Sequence, residues 1–237
     1  MQCVILAGGL GTRMRPLTET CPKTLLPVNG KPFAWHQLHW LAGQGVSEVV
    51  YCIGHQGDLI RSYWQGERSP IQSIRYVDEG ERLRGTGGAI RLARDQGALD
   101  ENFLVIYGDS FLPVEYPPVW RAFERSGMPA LMTVLRNEGR WDRSNVIFDD
   151  GRIVLYDKTA QTGMQHIDYG LSACRRSLFD KAPEVFDLAG LFHDLSIQGR
   201  LAGFEVSERF YEIGSPAGLH HLEQYLISND SRTALKL

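Results

Sequence analysis

Short β-rich runs alternate along the chain with stretches of helical, amphipathic spacing. The clearest strand patterns are Val4–Ala7, Val49–Ile53, Ile74–Val77, Phe103–Tyr107 and Ala130–Leu135. Between them, Pro32–Gly45, Gln56–Gln65, Gly88–Asp95 and Pro118–Ser126 read as helices. Strands alternating with helices predict βαβ units and a mainly parallel sheet. Parallel strands covered on both faces are continuously apolar, as Val4–Ala7 and Phe103–Tyr107 are.

Near residue 130 the pattern changes. Asn145–Phe148 and Ile153–Tyr156 flank Asp149-Asp150-Gly151, a hairpin signal with Asp-Gly at its turn. His166–Ala173 reads as a further strand; Ser177–Ala182, Leu188–Gly199 and Pro216–Ser228 read as helices. With no internal repeat and no Pro/Ser linker, the expectation is a single α/β domain over residues 1–237, in two halves meeting near residue 130.

Composition narrows the class. The chain is 43% hydrophobic and 22% charged over 237 residues, an ordinary globular balance and enough for one full core. Cys3, Cys21, Cys52 and Cys174 are scattered without a C-x-x-C pair, which argues against a zinc site or disulfide framework and suits a reducing compartment. No basic segment precedes the first apolar run, and no run is long enough to span a bilayer, so a soluble cytoplasmic protein is expected. A net charge of −3 offers no general attraction for nucleic acid. Its distribution says more: residues 1–35 carry Arg13, Arg15, Lys23 and Lys31 against Glu19 alone. A basic, glycine-rich opening on an acidic protein points to a compact anionic ligand.

That opening is LAGGLGTRMRPLT, residues 6–18, followed by PKTLLPVNGKP, residues 22–32. Gly8, Gly9 and Gly11 directly follow a buried-strand pattern, where glycines let backbone N–H groups approach phosphate oxygens. Arg13 and Lys23 add positive charge on either side. A P-loop would need Gly-Lys-Ser/Thr, and a dinucleotide fingerprint a third glycine where Met14 stands; neither fits. Asp109 lies just past the end of the Phe103–Tyr107 strand, where open α/β sheets bind ligands. Magnesium takes one or two carboxylates plus phosphate oxygens and water, so one such aspartate suits it.

G-G-x-G-T-R-x-x-P-x-T followed by P-K-x-x-x-P-V-x-G-K-P resembles the signature of the sugar-phosphate nucleotidyltransferase family. The match is near complete over residues 5–33 and continues more weakly to about residue 226. The resemblance implies a Rossmann-like three-layer α/β/α fold with a mainly parallel mixed sheet. It also implies an enzyme that joins a nucleoside triphosphate to a sugar 1-phosphate with Mg2+ and releases pyrophosphate. Residues 1–130 would then form the nucleotide-binding half and 131–237 the sugar-phosphate-binding half.

By the same resemblance Leu6, Ala7, Gly8, Gly9, Gly11, Thr12 and Arg13 hold the nucleotide, Arg13 stabilises the leaving pyrophosphate, and Lys23 lies among the reacting phosphates. Phosphoryl-type transfer is catalysed largely by positioning and charge neutralisation, which agrees. Asp109 resembles the family's metal-binding aspartate. Its second metal carboxylate is usually an aspartate before Gly-Thr/Ile-Pro; here Glu212, one methylene longer, precedes Ile213-Gly214-Ser215-Pro216.

Glu79 to Ala89 resembles the family's base-reading segment, implicating Glu79, Gly85, Thr86 and Gly87. Arg82 and Arg84 depart from the family pattern there and leave the base open. Asp157-Lys158 stands where many relatives carry Glu-Lys-Pro, which implies an acid on a sugar hydroxyl and a lysine on the sugar's phosphate. Asn145, Asp168, Tyr169 and Gly170 fall where family members shape the sugar pocket. The Gly85–Ile90 run and the Trp141–Val146 segment look nearer to the heptose 1-phosphate guanylyltransferase-like branch, so GTP leads and UTP, as in an N-acetylmuramate 1-phosphate uridylyltransferase, is the alternative. A non-catalytic regulatory homologue would be expected to lose Arg13, Lys23 or Asp109, and a glycosyltransferase to carry D-x-D; neither holds. Trp35, Trp40 and Trp64 recur in helical segments and suit a core or a homo-oligomer contact.

Overall fold

The computed structural model describes residues 1–159 and 163–234. Its central sheet contains β1 (Gln2–Ala7), β2 (Glu48–Ile53), β3 (Ser73–Asp78), β4 (Asn102–Tyr107), β5 (Ala130–Arg136), β6 (Val146–Asp149), β7 (Arg152–Tyr156), β8 (His166–Arg175) and β9 (Leu201–Val206). The strand order is β3-β2-β1-β4-β8-β5-β9-β7-β6. β3, β2, β1 and β4 run parallel; β8 enters antiparallel between β4 and β5 and joins the halves in one sheet. His166 of β8 also pairs with Val146 of β6, so the far edge of the sheet returns to its middle.

Two layers of helices cover this sheet. α1 (Phe33–Gly43), α2 (Gly57–Gly66) and α4 (Tyr116–Ser126) bury Leu38, Leu41, Ile60, Trp64 and Phe123 against Ile5, Tyr51 and Ile53. α3 (Gly85–Asp95) and α5 (Leu188–Ile197) bury Ile90, Ala93, Phe192 and Leu195 against Val4, Val50 and Cys52. Successive residues of β1 and β2 therefore serve opposite faces, which explains why their sequences are apolar throughout. Each fully buried Leu, Ile or Phe contributes about 1.5–3 kcal/mol. Pro117 and Pro118 fit the first turn of α4, whose last carbonyls meet Gly127 at φ 65°.

Two elements differ from the sequence reading. Ser177–Ala182, expected as a helix, is only a 3-10 turn over Arg176–Phe179. Pro183 disfavours helical geometry at Ala182, and the following segment instead pairs with the start of α3. β9 was not expected, because Gly203 and Glu205 interrupt its apolar pattern. Gly203 is required by packing: a Cβ there would stand 2.6 Å from the Phe148 ring. A final helix, α6 (Pro216–Ala234), runs past the expected Ser228. All four cysteines are free, and among the described residues no helix is long and apolar enough to cross a membrane.

Candidate active site

A cavity of about 320 Å³ opens where β1 and β4 end, the ligand-binding edge of a parallel sheet. Leu6, Ala7, Gly8, Gly9 and Gly11 form one wall. Gly11 takes φ 62°, a conformation that favours glycine, and its carbonyl accepts the Thr18 hydroxyl at 2.8 Å. Thr12 and Arg13 then enter a 3-10 turn, Thr12–Met14, at the outer side of the loop. The Arg13 guanidinium reaches across the fold, and a Cβ on Gly214 would lie 3.5 Å from its Nη2. Neither Thr12 nor Arg13 lines the cavity itself.

Lys23 and Asp109 meet on the opposite wall. The Lys23 ammonium donates to Asp109 Oδ2 at 2.8 Å. The chain then passes Ser110–Phe111, which pairs antiparallel with Tyr211–Glu212 in a two-stranded ribbon. Ser110 stands opposite Glu212, and the Ile213 N–H donates to the Asp109 carbonyl at 2.9 Å. This ribbon brings together two carboxylates a hundred residues apart in the chain. Partial burial and the charge of Asp109 hold the Glu212 carboxyl above its ordinary range, opposed by Arg13 and Lys23. Two acids beside two cations fit a divalent ion shared with phosphate oxygens. Among the described residues no group of three or more His, Cys, Asp and Glu side chains forms a metal cage, so substrate oxygens would have to complete the coordination.

Glu79, Gly85, Thr86 and Leu83 also line the cavity, with Glu79 beside Gly8. Glu79 Oε2 accepts the Arg84 N–H at 3.0 Å, and a Cβ on Gly8 would meet Oε1 at 2.5 Å. Burial raises the Glu79 carboxyl, and the Arg84 N–H counters this. Gly87 and Gly88 donate to the Phe186 carbonyl at 3.0 and 3.1 Å, and a side chain on Gly87 would collide with the Phe186 ring. These glycines therefore serve close packing, and Gly87 does not line the cavity. Arg82 and Arg84, the departures from the family pattern, pair with Glu184 at 3.3 and 4.0 Å. They anchor the base-side loop to the segment before α5.

The residues expected to hold the acceptor gather around one turn of β8. Asn145 Oδ1 accepts the Asp168 N–H at 2.8 Å, and the Gly170 N–H donates to Asp168 Oδ1 at 3.0 Å. The Asp157 N–H donates to the Asn145 carbonyl, while Asp157 Oδ1 accepts both the N–H and hydroxyl of Thr159. Burial raises the Asp168 carboxyl; the Gly170 N–H, the charge of Lys158 and the Tyr156 hydroxyl oppose the rise. Asn145, Asp157, Lys158, Asp168 and Gly170 are thus brought together. Tyr169 is not: strand alternation turns its ring into the core against Phe210, at 5.9 Å between centroids.

Tyr107 and Asp187 are among the lining residues that escaped the sequence reading. Asp187, ahead of α5, accepts the N–H and hydroxyl of Thr86 at 3.2 and 3.3 Å, a contact between segments a hundred residues apart. Tyr107 ends β4 and faces both the cavity and the Asp168 turn. Its position before Gly108-Asp109 was the available signal.

The fold and this site define the class. The Nucleotidyl transferase family matches residues 2–142, and the chain belongs to it. It is 30% identical to D-glycero-alpha-D-manno-heptose 1-phosphate guanylyltransferase of Aneurinibacillus thermoaerophilus, over 91% of this chain and 94% of that protein. It is 26% identical to the enzyme of the same name from Campylobacter jejuni, over 97% and 100%. The crystal structure of HddC from Yersinia pseudotuberculosis complexed with GMP-PN shares the fold, with a TM-score of 0.79 at 22% identity over 95% and 99% of the two chains. The protein is a sugar-1-phosphate nucleotidyltransferase.

Proposed function

We propose that this enzyme transfers a guanylyl group from GTP to a heptose 1-phosphate, with Mg2+ as cofactor. The observation that carries the transfer reading is the Lys23–Asp109 pair on the cavity wall, with Glu212 brought beside it by its pairing with Ser110. A phosphate oxygen of the sugar attacks the α-phosphorus in line; the bond to the β-phosphate breaks and pyrophosphate leaves. No general base is needed, because a phosphate monoester with a second pKa of about 6 is already ionised.

The Gly8–Gly11 backbone cradles the triphosphate, and Arg13 and Lys23 neutralise the charge that builds on the departing pyrophosphate. Asp109 and Glu212 would hold Mg2+. When bound, that ion offsets the repulsion between the two reacting phosphates. Lys23 exchanges its Asp109 partner for phosphate oxygens as substrates fill the site. On the acceptor side, Lys158 receives the sugar's phosphate while Asp157, Asn145 and Asp168 receive hydroxyls.

Guanine is favoured by two supports. Both curated relatives described above are named for guanylyl transfer. Glu79 also presents a carboxylate at the base end of the cavity. A carboxylate only accepts, and guanine offers it two adjacent donors, N1–H and the 2-amino group, where uracil offers a single N–H between carbonyls. The mechanism is tested by Asp109→Asn, assayed for pyrophosphate release with Mg2+, GTP and heptose 1-phosphate. Turnover is expected to fall at least about a hundredfold; near-normal turnover would sink the two-carboxylate reading.

A further inference from the structure

The pairing of β4 with β8 stops at Val105 and Ser172, and the register of β8 shifts between Asp168 and Ser172. Beyond that point the edge of β4 lies open toward the acceptor-side turn. Tyr107 occupies the opening. Its backbone is fixed on both sides, paired with Leu6 of β1 and accepting Gln37 Nε2 at 2.9 Å. Its ring lies beside Gly170, where a Cβ would stand 3.8 Å from Cδ2. Gly170 takes φ 96°, so any side chain there would be strained as well as directed at the ring. The same tyrosine lines the nucleotide cavity with Lys23 and Asp109.

Acids gather around this ring: Asp109 and Asp187 line the same cavity, and Asp168 accepts the N–H of the Gly170 that the ring lies beside. Carboxylates only accept hydrogen bonds, and so do the oxygens of a phosphate. An acceptor phosphosugar entering between the halves therefore needs donors. Lys23 is engaged with Asp109, and Lys158 lies toward Asp168. The Tyr107 phenol is a neutral donor at the junction, and no side chain among the described residues takes its hydrogen bond. A neutral donor suits this place, because a third cation would also attract the triphosphate.

We infer that Tyr107 is an acceptor-binding residue whose hydroxyl donates to the sugar 1-phosphate at the boundary between the nucleotide cavity and the Asp168–Gly170 turn. This rests on the reading that the cavity joins a nucleoside triphosphate to a sugar 1-phosphate. It adds a contact specific to the second substrate, at a position that belongs by sequence to the nucleotide half.

The test is Tyr107→Phe, which keeps the ring against Gly170 and removes only the donor. Pyrophosphate release is measured with GTP and D-glycero-α-D-manno-heptose 1-phosphate, and the affinity for GTP alone by calorimetry. The KM for the sugar phosphate is expected to rise about tenfold to a hundredfold, the loss of one hydrogen bond to a charged acceptor, with GTP affinity unchanged. Tyr107→Leu, which also loses the ring, is expected to raise the same KM further. An unchanged acceptor KM in Tyr107→Phe, or a rise confined to GTP, overturns the inference while leaving the transfer reaction intact. A shared loss of thermal stability and of both affinities would assign Tyr107 to packing alone and also overturn it. A wild-type protein silent with every triphosphate and sugar phosphate overturns the underlying reading instead.

Discussion

The glycine loop proposed to hold the nucleotide and the cluster proposed to hold the acceptor are built by different means. On the nucleotide side the loop from Leu6 to Lys23 is continuous in sequence and springs from one parallel strand. Its glycines expose backbone, so the ligand is met by atoms every residue possesses. In the proposed acceptor cluster, Asn145 and Asp157 flank antiparallel strands, Asp168 lies on β8, and contacts between these separate elements hold them together. A backbone cradle suits a polyphosphate, and side chains on separate elements suit a sugar.

If this contrast is sound, changes on the two sides should fail differently. The largest effect is expected from Lys23→Met, which removes a charge at the reacting phosphates: kcat should fall about 100- to 1000-fold, with sugar-phosphate selectivity unaltered. Single-turnover pyrophosphate release checks this. Glu79→Gln should cost the guanine preference about 10- to 100-fold, as one charge-assisted contact is lost. Competition between GTP and UTP measures it, and an unaltered ratio would move base reading to the backbone.

The glycines allow a sharper division. No atom outside its own neighbours lies within 4 Å of a Cβ on Gly9, whereas one on Gly87 would strike the Phe186 ring. Gly87→Ala should therefore destabilise the fold by about 1–3 kcal/mol. Gly9→Ala should leave the unfolding midpoint unchanged and weaken nucleotide binding. Thermal unfolding and calorimetry on both variants separate the two roles.

The smallest effect concerns Asp168. Its carboxyl is raised in the folded protein, so the fold takes up this proton at a higher pH than the unfolded chain does. The resulting stability is present below the ordinary aspartate value and is lost as pH rises through the raised one. At pH 8 the charged form is thus a cost, and Asp168→Asn should raise the melting temperature of the free protein by about 2 °C. At pH 4 the difference should shrink. A melting temperature equal to or below wild type at pH 8 would mean that the hydrogen bonds to Asp168 outweigh its burial.

The same contrast explains what the sequence made legible. β1, β2 and β4 and the glycine loop were readable because pattern, turn chemistry and chain order coincide there. Lys23 and Asp109 could be paired in role because each sits beside a recognisable local signal. Gly85 and Thr86 were legible as a loop, but the tie of Arg82 and Arg84 to Glu184 was not, since their partner lies a hundred residues away. β9 was hidden because Gly203 serves the Phe148 ring rather than a turn. Tyr169 was placed correctly on a strand at the acceptor side, yet one-residue alternation sends its ring into the core. Asp187 lacked any local mark, and Tyr107 had only its place before Gly108-Asp109.

The most direct measurement is pyrophosphate release with Mg2+ across a matrix of GTP, UTP, CTP, ATP and dTTP against several sugar 1-phosphates. The account predicts one dominant combination, GTP with heptose 1-phosphate. A dominant signal with UTP or another triphosphate would contradict the base assignment to Glu79, and silence of the folded protein across the matrix would contradict the substrate reading as a whole.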